Sequence, residues 1–186
     1  LLGLLDPGQG HLLIDGEVLS EANKPAWQAQ VAHVPQAIFL ADGSVAENIA
    51  FGRPSHEIDL DRVREAARLA ELDDFIATLP QGYATEVGER GVRLSGGQRQ
   101  RIGIARALYK QASVLVFDEA TSALDDATEA AVMQSVARLP RALTLVIVAH
   151  RLSTLHLCDR IVRLEGGRIA GQGSYAELIG GAQDQK

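Results

Sequence analysis

The run Ser113-Val114-Leu115-Val116-Phe117, followed at once by Asp118-Glu119, decides how the rest of the chain is read. Five apolar or small residues with no polar alternation describe a strand that expects cover on both faces, the signature of a parallel sheet. A second such run, Leu143-Thr144-Leu145-Val146-Ile147-Val148-Ala149, follows a helical stretch at 127–139 and ends in His150. Strand, helix, strand is the parallel crossover unit, so an α/β fold with a mostly parallel sheet flanked by helices is expected. Such sheets place ligands at the carboxyl ends of their strands, which is where Asp118, Glu119 and His150 fall.

Working outward toward the N-terminus, residues 31–34 read as another short strand, running into Pro35-Gln36. Residues 11–14 and 17–19 flank Asp15-Gly16, a tight-hairpin signal, so an antiparallel β portion is expected there. Leu1-Leu2-Gly3-Leu4-Leu5 reads as the last turns of a helix stopped by Asp6-Pro7-Gly8. Residues 44–109 read as mostly helical. Val63, Ala66, Ala67 and Ala70 keep one apolar face, and Asp59 or Asp61 is available as an N-cap. Toward the C-terminus, 160–164 and 168–171 read as a hairpin, and Ser174-Tyr175-Ala176-Glu177 is a capping box for a final helix. Residues 180–186 read as a frayed end.

Composition narrows the function. The chain has 186 residues, 46% hydrophobic and 23% charged, an ordinary globular balance. A formal charge of −6 argues against a dedicated nucleic-acid binder, which needs a basic surface. One cysteine, Cys158, excludes an internal disulfide or a multi-cysteine zinc site and reads as a small buried hydrophobe. No stretch approaches the roughly 20 apolar residues of a membrane span. There is no signal peptide and no initiator methionine, so the chain is read as truncated.

Four features carry chemistry. Asp118-Glu119 at a strand end suits magnesium binding by the first acid and polarisation of a water by the second; a strand that simply stops at two solvated acids is the alternative. Leu94-Ser95-Gly96-Gly97-Gln98 opens an amphipathic helix marked by Ile102, Ala105 and Leu108. Ser95 is a good N-cap, and two glycines let an anion approach bare amides; an ordinary glycine turn is the alternative. His150 alone would be a structural histidine, but beside a Mg–ATP site it could contact a γ-phosphate. Gln36 alone carries little information.

Taken in order, Gln36, Leu94–Gln98, Asp118-Glu119, Ser122-Ala123-Leu124-Asp125 and His150 resemble the nucleotide-binding domain of ABC transporters, over residues 1 to about 179. The resemblance implies a P-loop NTPase-type fold with a core at 1–43 and 110–180, which includes the β portion. It also implies an α-helical signature subdomain at 44–109, and leaves 181–186 as tail. It implies that Gln36 is the Q-loop glutamine, Leu94–Gln98 the signature, Val114–Asp118 Walker B, Glu119 the catalytic carboxylate, Ser122–Asp125 the D-loop and His150 the switch histidine. ATP and Mg²⁺ are the implied cofactors, with Asp118 and Gln36 holding the metal. Ser95, Gly96, Gly97 and Gln98 would embrace ATP bound by a second such domain, and Asp125 would lie at the seam of that homo- or heterodimer. Ser44-Val45-Ala46-Glu47-Asn48-Ile49 and Thr85-Glu86-Val87-Gly88-Glu89-Arg90-Gly91 resemble the exporter branch. Through the Gln36 region and Glu86–Gly91 the domain would meet transmembrane partner domains at the cytoplasmic face of a membrane.

One element of the family pattern is missing. No Gly-x-x-x-x-Gly-Lys-Ser/Thr loop precedes Leu1, nor the aromatic residue that usually stacks on adenine. The resemblance therefore implies that about a fifth of the domain, with its phosphate-loop strand, has been cut off, and that this chain alone is inactive. Rival readings are an importer ATPase, against which the 86–91 string argues, and soluble ATPases of DNA repair or translation. The short Q-loop-to-signature spacing and the negative charge argue against repair ATPases, and the single motor against translation factors.

Overall fold

The computed structural model describes residues 2–88, 94–121, 124–149 and 151–179, without the side chains of 152 and 153. Two compact units emerge, residues 1–148 and 149–186.

The first unit is built on a three-stranded parallel sheet. Its strands are β3 (Val31–Val34), β4 (Val114–Asp118) and β5 (Thr144–Val148), in the order β3-β4-β5. The register runs Val34 to Phe117 and Phe117 to Ile147, so all three strands end on the same side. Leu115, Val116 and Phe117 are buried, as a central strand requires. The run at 143–149 differs from expectation. Residues 145–147 are half-buried and Val148 is 45% exposed, because among the described residues β5 is the outer strand of this sheet, paired with β4 alone.

An antiparallel hairpin joins β1 (Leu13–Ile14) to β2 (Glu17–Val18). Asp15 and Gly16 both take positive φ, 50° and 88°, as a two-residue turn that matches strand twist demands. The opening segment is not helical. Gly3 sits at φ +66°, which breaks any right-handed turn. Helix α1 (Lys24–Gln30) was not legible beforehand, since none of its residues is buried and no apolar period marks it. A proline in its first turn is compatible with helix initiation.

Between 44 and 109 lie α2 (Val45–Ile49), α3 (Leu60–Leu69), α4 (Asp73–Ala77) and α5 (Gly96–Tyr109). Asp59 caps α3 by accepting from the N–H groups of Asp61 and Arg62. The apolar face read from sequence is the buried one, with Val63, Ala66, Ala67 and Ala70 all at 3% exposure or less. These side chains join Ile102, Ile104, Leu115 and Phe117 in one core. Helix α6 (Asp126–Ala137) contributes Val132, Met133 and Val136 to it.

Helix α2 is set by a capping box in which Ser44 accepts from the N–H of Glu47 and Glu47 accepts from that of Ser44. The Ser44 N–H, the Ser55 hydroxyl and the Ser44 hydroxyl, in that order of weight, hold the Glu47 carboxyl below its ordinary value of 4.5. A depressed folded value stabilises the protein above pH 4.5, and that stabilisation is lost as pH falls through the folded value. Glu47→Gln is therefore expected to flatten the acid-side fall of the thermal midpoint below pH 4.5, checked by midpoints across pH for both proteins.

In the second unit, α7 (Leu152–Leu155) precedes the antiparallel pair β6 (Ile161–Glu165) and β7 (Arg168–Gly173), joined through Gly166 and Gly167 at positive φ. The predicted capping box opens α8 (Tyr175–Leu178), with Ser174 and Glu177 bonded reciprocally.

Candidate functional site

The three parallel strands deliver their chemistry at one edge. Asp118, the last residue of β4, leaves 56% of its side chain exposed, and Pro35-Gln36 follow the end of β3. Gln36 is exposed in the bend after that strand. Glu119 is half-buried and adopts φ +49°, a left-handed conformation rare for a residue other than glycine. Its N–H donates to the Val148 carbonyl at 3.0 Å, tying the turn after β4 to the end of β5. Strain of this kind persists only where surrounding contacts over-determine it, and it clusters at functional sites. His150 lies outside the described residues, as do Ser122 and Ala123 of the predicted D-loop.

Sequence reading missed a neighbour of Asp118. His33 Nε2 lies 3.7 Å from Asp118 Oδ2, brought there by the adjacent strand. The available signal was a single polar residue in the apolar run 31–34.

Leu94–Gln98 opens α5 as expected. Ser95 Oγ accepts from the Gln98 N–H at 3.2 Å, and the Gln98 side chain accepts from the Ser95 N–H at 2.8 Å. The Arg99 N–H already reaches the Ser95 carbonyl. Gly96 and Gly97 therefore carry the donors that this reciprocal cap leaves over. Gln98 is engaged within its own turn rather than projecting freely. Leu94 is buried and its carbonyl accepts from Arg99 at 2.6 Å.

Asp125 caps α6, accepting from the Thr128 N–H at 3.0 Å and from the Thr128 hydroxyl at 2.7 Å. The Thr128 hydroxyl first, and the Thr128 amide second, hold the Asp125 carboxyl below its ordinary value. Four residues on, the buried Glu129 accepts from the Thr121 hydroxyl at 3.0 Å, fastening the segment that follows Glu119.

The two exporter-like strings, more than thirty residues apart in sequence, meet in space. Ser44 and Glu86 form an antiparallel bridge, flanked by Val45 N–H to Thr85 carbonyl and Val87 N–H to Gly43 carbonyl, each 3.0 Å. Buried Asn48 braces the chain after Gln36 by exchanging bonds with the Ala41 backbone at 2.9 and 3.0 Å. Arg106 of α5 reaches the Asn48 and Phe39 carbonyls, each at 3.0 Å, and lies 4.4 Å from the centre of the Phe51 ring. Residues 89–91 of the second string lie outside the described residues.

Around Asp118 lie its own carboxylate, the adjoining Glu119 and the His33 imidazole, and the carboxylate oxygens suit a hard cation. Among the described residues no three His, Cys, Asp or Glu gather into a cage. Magnesium typically uses one or two carboxylates and completes its shell with waters and substrate phosphates, so the residues present fit it.

Comparison with known proteins decides the family. Residues 1–122 match the family described as ABC transporter. The chain belongs to the ABC transporter family. It is 47% identical over 176 residues to the ATP-dependent lipid A-core flippase of Cupriavidus metallidurans, covering 94% of this chain and 30% of that protein. To the ABC transporter ATM1 of Toxoplasma gondii it is 44% identical over 179 residues, covering 96% of this chain and 16% of that protein. The solved structure of a bacterial Atm1-family ABC exporter with ATP bound superposes with a TM-score of 0.85 at 42% identity, over 97% of this chain and 32% of that one. The chain thus spans about a third or less of these relatives. As an ABC ATPase fold, its parallel sheet, antiparallel hairpins and helical stretch follow the expected class. Among the described residues no helix is long and apolar enough to cross a membrane.

Proposed function

We propose that this chain belongs to the ATP-binding and ATP-hydrolysing motor of an ABC exporter, which in the full-length protein powers transport at the cytoplasmic face of a membrane through head-to-tail pairing with a second such domain. The observation that carries the reading is Asp118-Glu119 at the carboxyl end of the central parallel strand, with Glu119 held in a left-handed turn by Val148. A lipid A-core flippase at 47% identity and an Atm1-family ABC exporter at 42%, each over nearly the whole chain, support the branch.

In this reading, Asp118 and Gln36 hold Mg²⁺, which when bound offsets the negative charge of the phosphates. Glu119 orients and polarises the attacking water, and His150 contacts the γ-phosphate. Gly96 and Gly97 offer amides to the nucleotide of the facing domain, with Ser95 and Gln98 beside them, and Asp125 lies at the seam. Residues 44–109 act as the helical subdomain on the core of 1–43 and 110–180. The bridge at Ser44 and Glu86 ties the region after Gln36 to the Glu86–Gly91 loop, so that both move together against the transmembrane domains.

The shared-site arrangement is tested by mixing subunits of the full-length protein carrying Ser95→Arg with subunits carrying Glu119→Gln. A mixed pair places both lesions in one site and leaves the other whole. ATPase activity is expected to reappear in mixtures although each variant alone is dead. ATP-dependent pairing, followed alongside, covers the case of strictly coupled sites. Recovery of neither signal with folded proteins would count against the arrangement.

A further inference from the structure

We propose that Thr128 is a positioning residue of the ATPase, and that it, not only a facing nucleotide, is what requires glycine at position 97. The inference rests on the motor reading above and deepens it.

The geometry is confined to the first turn of α6 and the start of α5. Asp125 takes both the N–H and the hydroxyl of Thr128. With the hydroxyl so engaged, the β-branched side chain has one orientation left for its methyl group. That methyl is directed at Gly97. A Cβ added to Gly97 would lie 2.5 Å from Thr128 Cγ2, far inside the separation of about 3.5–4.0 Å at which carbon atoms rest. One residue earlier, a Cβ on Gly96 would lie 3.0 Å from Leu124 Cδ2. Gly97 is buried in this contact.

The same turn of α6 is fastened on its other side. Glu129, 5% exposed, accepts from Thr121, 8% exposed and two residues beyond Glu119. Three groups of the proposed mechanism therefore meet on one helical turn: the segment leaving Glu119, the Asp125 cap and the signature glycines. Thr128 sets how closely the signature helix approaches that turn. A side chain at 97 would push α5 away, and displacements on the ångström scale carry large catalytic penalties.

The test is a double-mutant cycle in the full-length protein, read by ATP turnover and by thermal midpoint. Thr128→Ser removes the methyl but keeps the hydroxyl for Asp125; the Thr128 Cβ itself lies 4.0 Å from the added atom, an ordinary contact. Gly97→Ala is expected to lower turnover by about 10²-fold. Adding Thr128→Ser to Gly97→Ala is expected to restore turnover by roughly tenfold or more and to raise the midpoint. Thr128→Val, which keeps methyl bulk and loses the hydroxyl, is expected not to restore it.

If the double variant stays as inactive as Gly97→Ala, glycine is needed only for the nucleotide and the positioning role is overturned. Recovery of the midpoint without recovery of turnover overturns it as well, leaving a packing contact alone. Equal rescue by Thr128→Val overturns the assignment to the methyl's fixed orientation. A wild-type protein without ATPase activity would overturn the motor reading itself, a result distinct from an active wild type that shows no suppression.

Discussion

Replacing Glu119 by Gln is expected to slow ATP turnover by about 10²–10⁴-fold, the range a positioned general base contributes. The amide keeps the size and the main-chain conformation of the original residue, so the left-handed turn and the Glu119 N–H to Val148 bond remain. What is lost is the negative charge that polarises water. Nucleotide binding depends on other groups and should change little, so the stalled protein accumulates with ATP bound and its two motor domains closed. Turnover, equilibrium nucleotide binding and domain pairing measured on one preparation check this. Wild-type turnover in Glu119→Gln would remove Glu119 from the proposed mechanism. A large loss of nucleotide affinity would instead indicate that the carboxylate is part of the binding site.

Phe117→Ala is expected to cost roughly 3–5 kcal/mol of stability, the usual consequence of emptying a buried aromatic site. Phe117 is 2% exposed, on the central strand, next to Asp118. Domains of this kind have about 5–15 kcal/mol in total, so the variant would sit near the limit of folding. Denaturant unfolding of the variant against the parent gives the number directly. Leu164→Ala is the control. That side chain is 67% exposed on β6 and its truncation should fall within about 0.5 kcal/mol of zero. A small effect at Phe117 would show that the sheet relaxes around the lost ring far more than its burial indicates.

The sequence alone determined several features whose cause is local. Helix caps act over three or four residues, so Ser95 and Ser174 were readable and cap the helices they were assigned, and of the two candidates for α3, Asp59 and Asp61, it is Asp59 that caps it. Asp15-Gly16 required positive φ at two adjacent positions and has it. Apolar runs with no alternation implied parallel strands, and the two runs pair in parallel as β4 and β5. The order of motifs also implied the family, because each motif is a contiguous string.

Where the signal was weak or the cause was distant, reading stopped. Helix α1 buries no residue and so leaves no period to detect. The opening leucines look helical by composition, yet Gly3 takes a conformation that composition does not reveal. His33 beside Asp118, Thr121 against Glu129, the Ser44–Glu86 bridge and Gly97 under the Thr128 methyl were decided only by tertiary structure. A string can state that a residue is a glycine or a histidine. Its neighbours across a sheet or between helices are fixed by strand order, register and the close packing of elements far apart in the chain, which depend on the whole core at once.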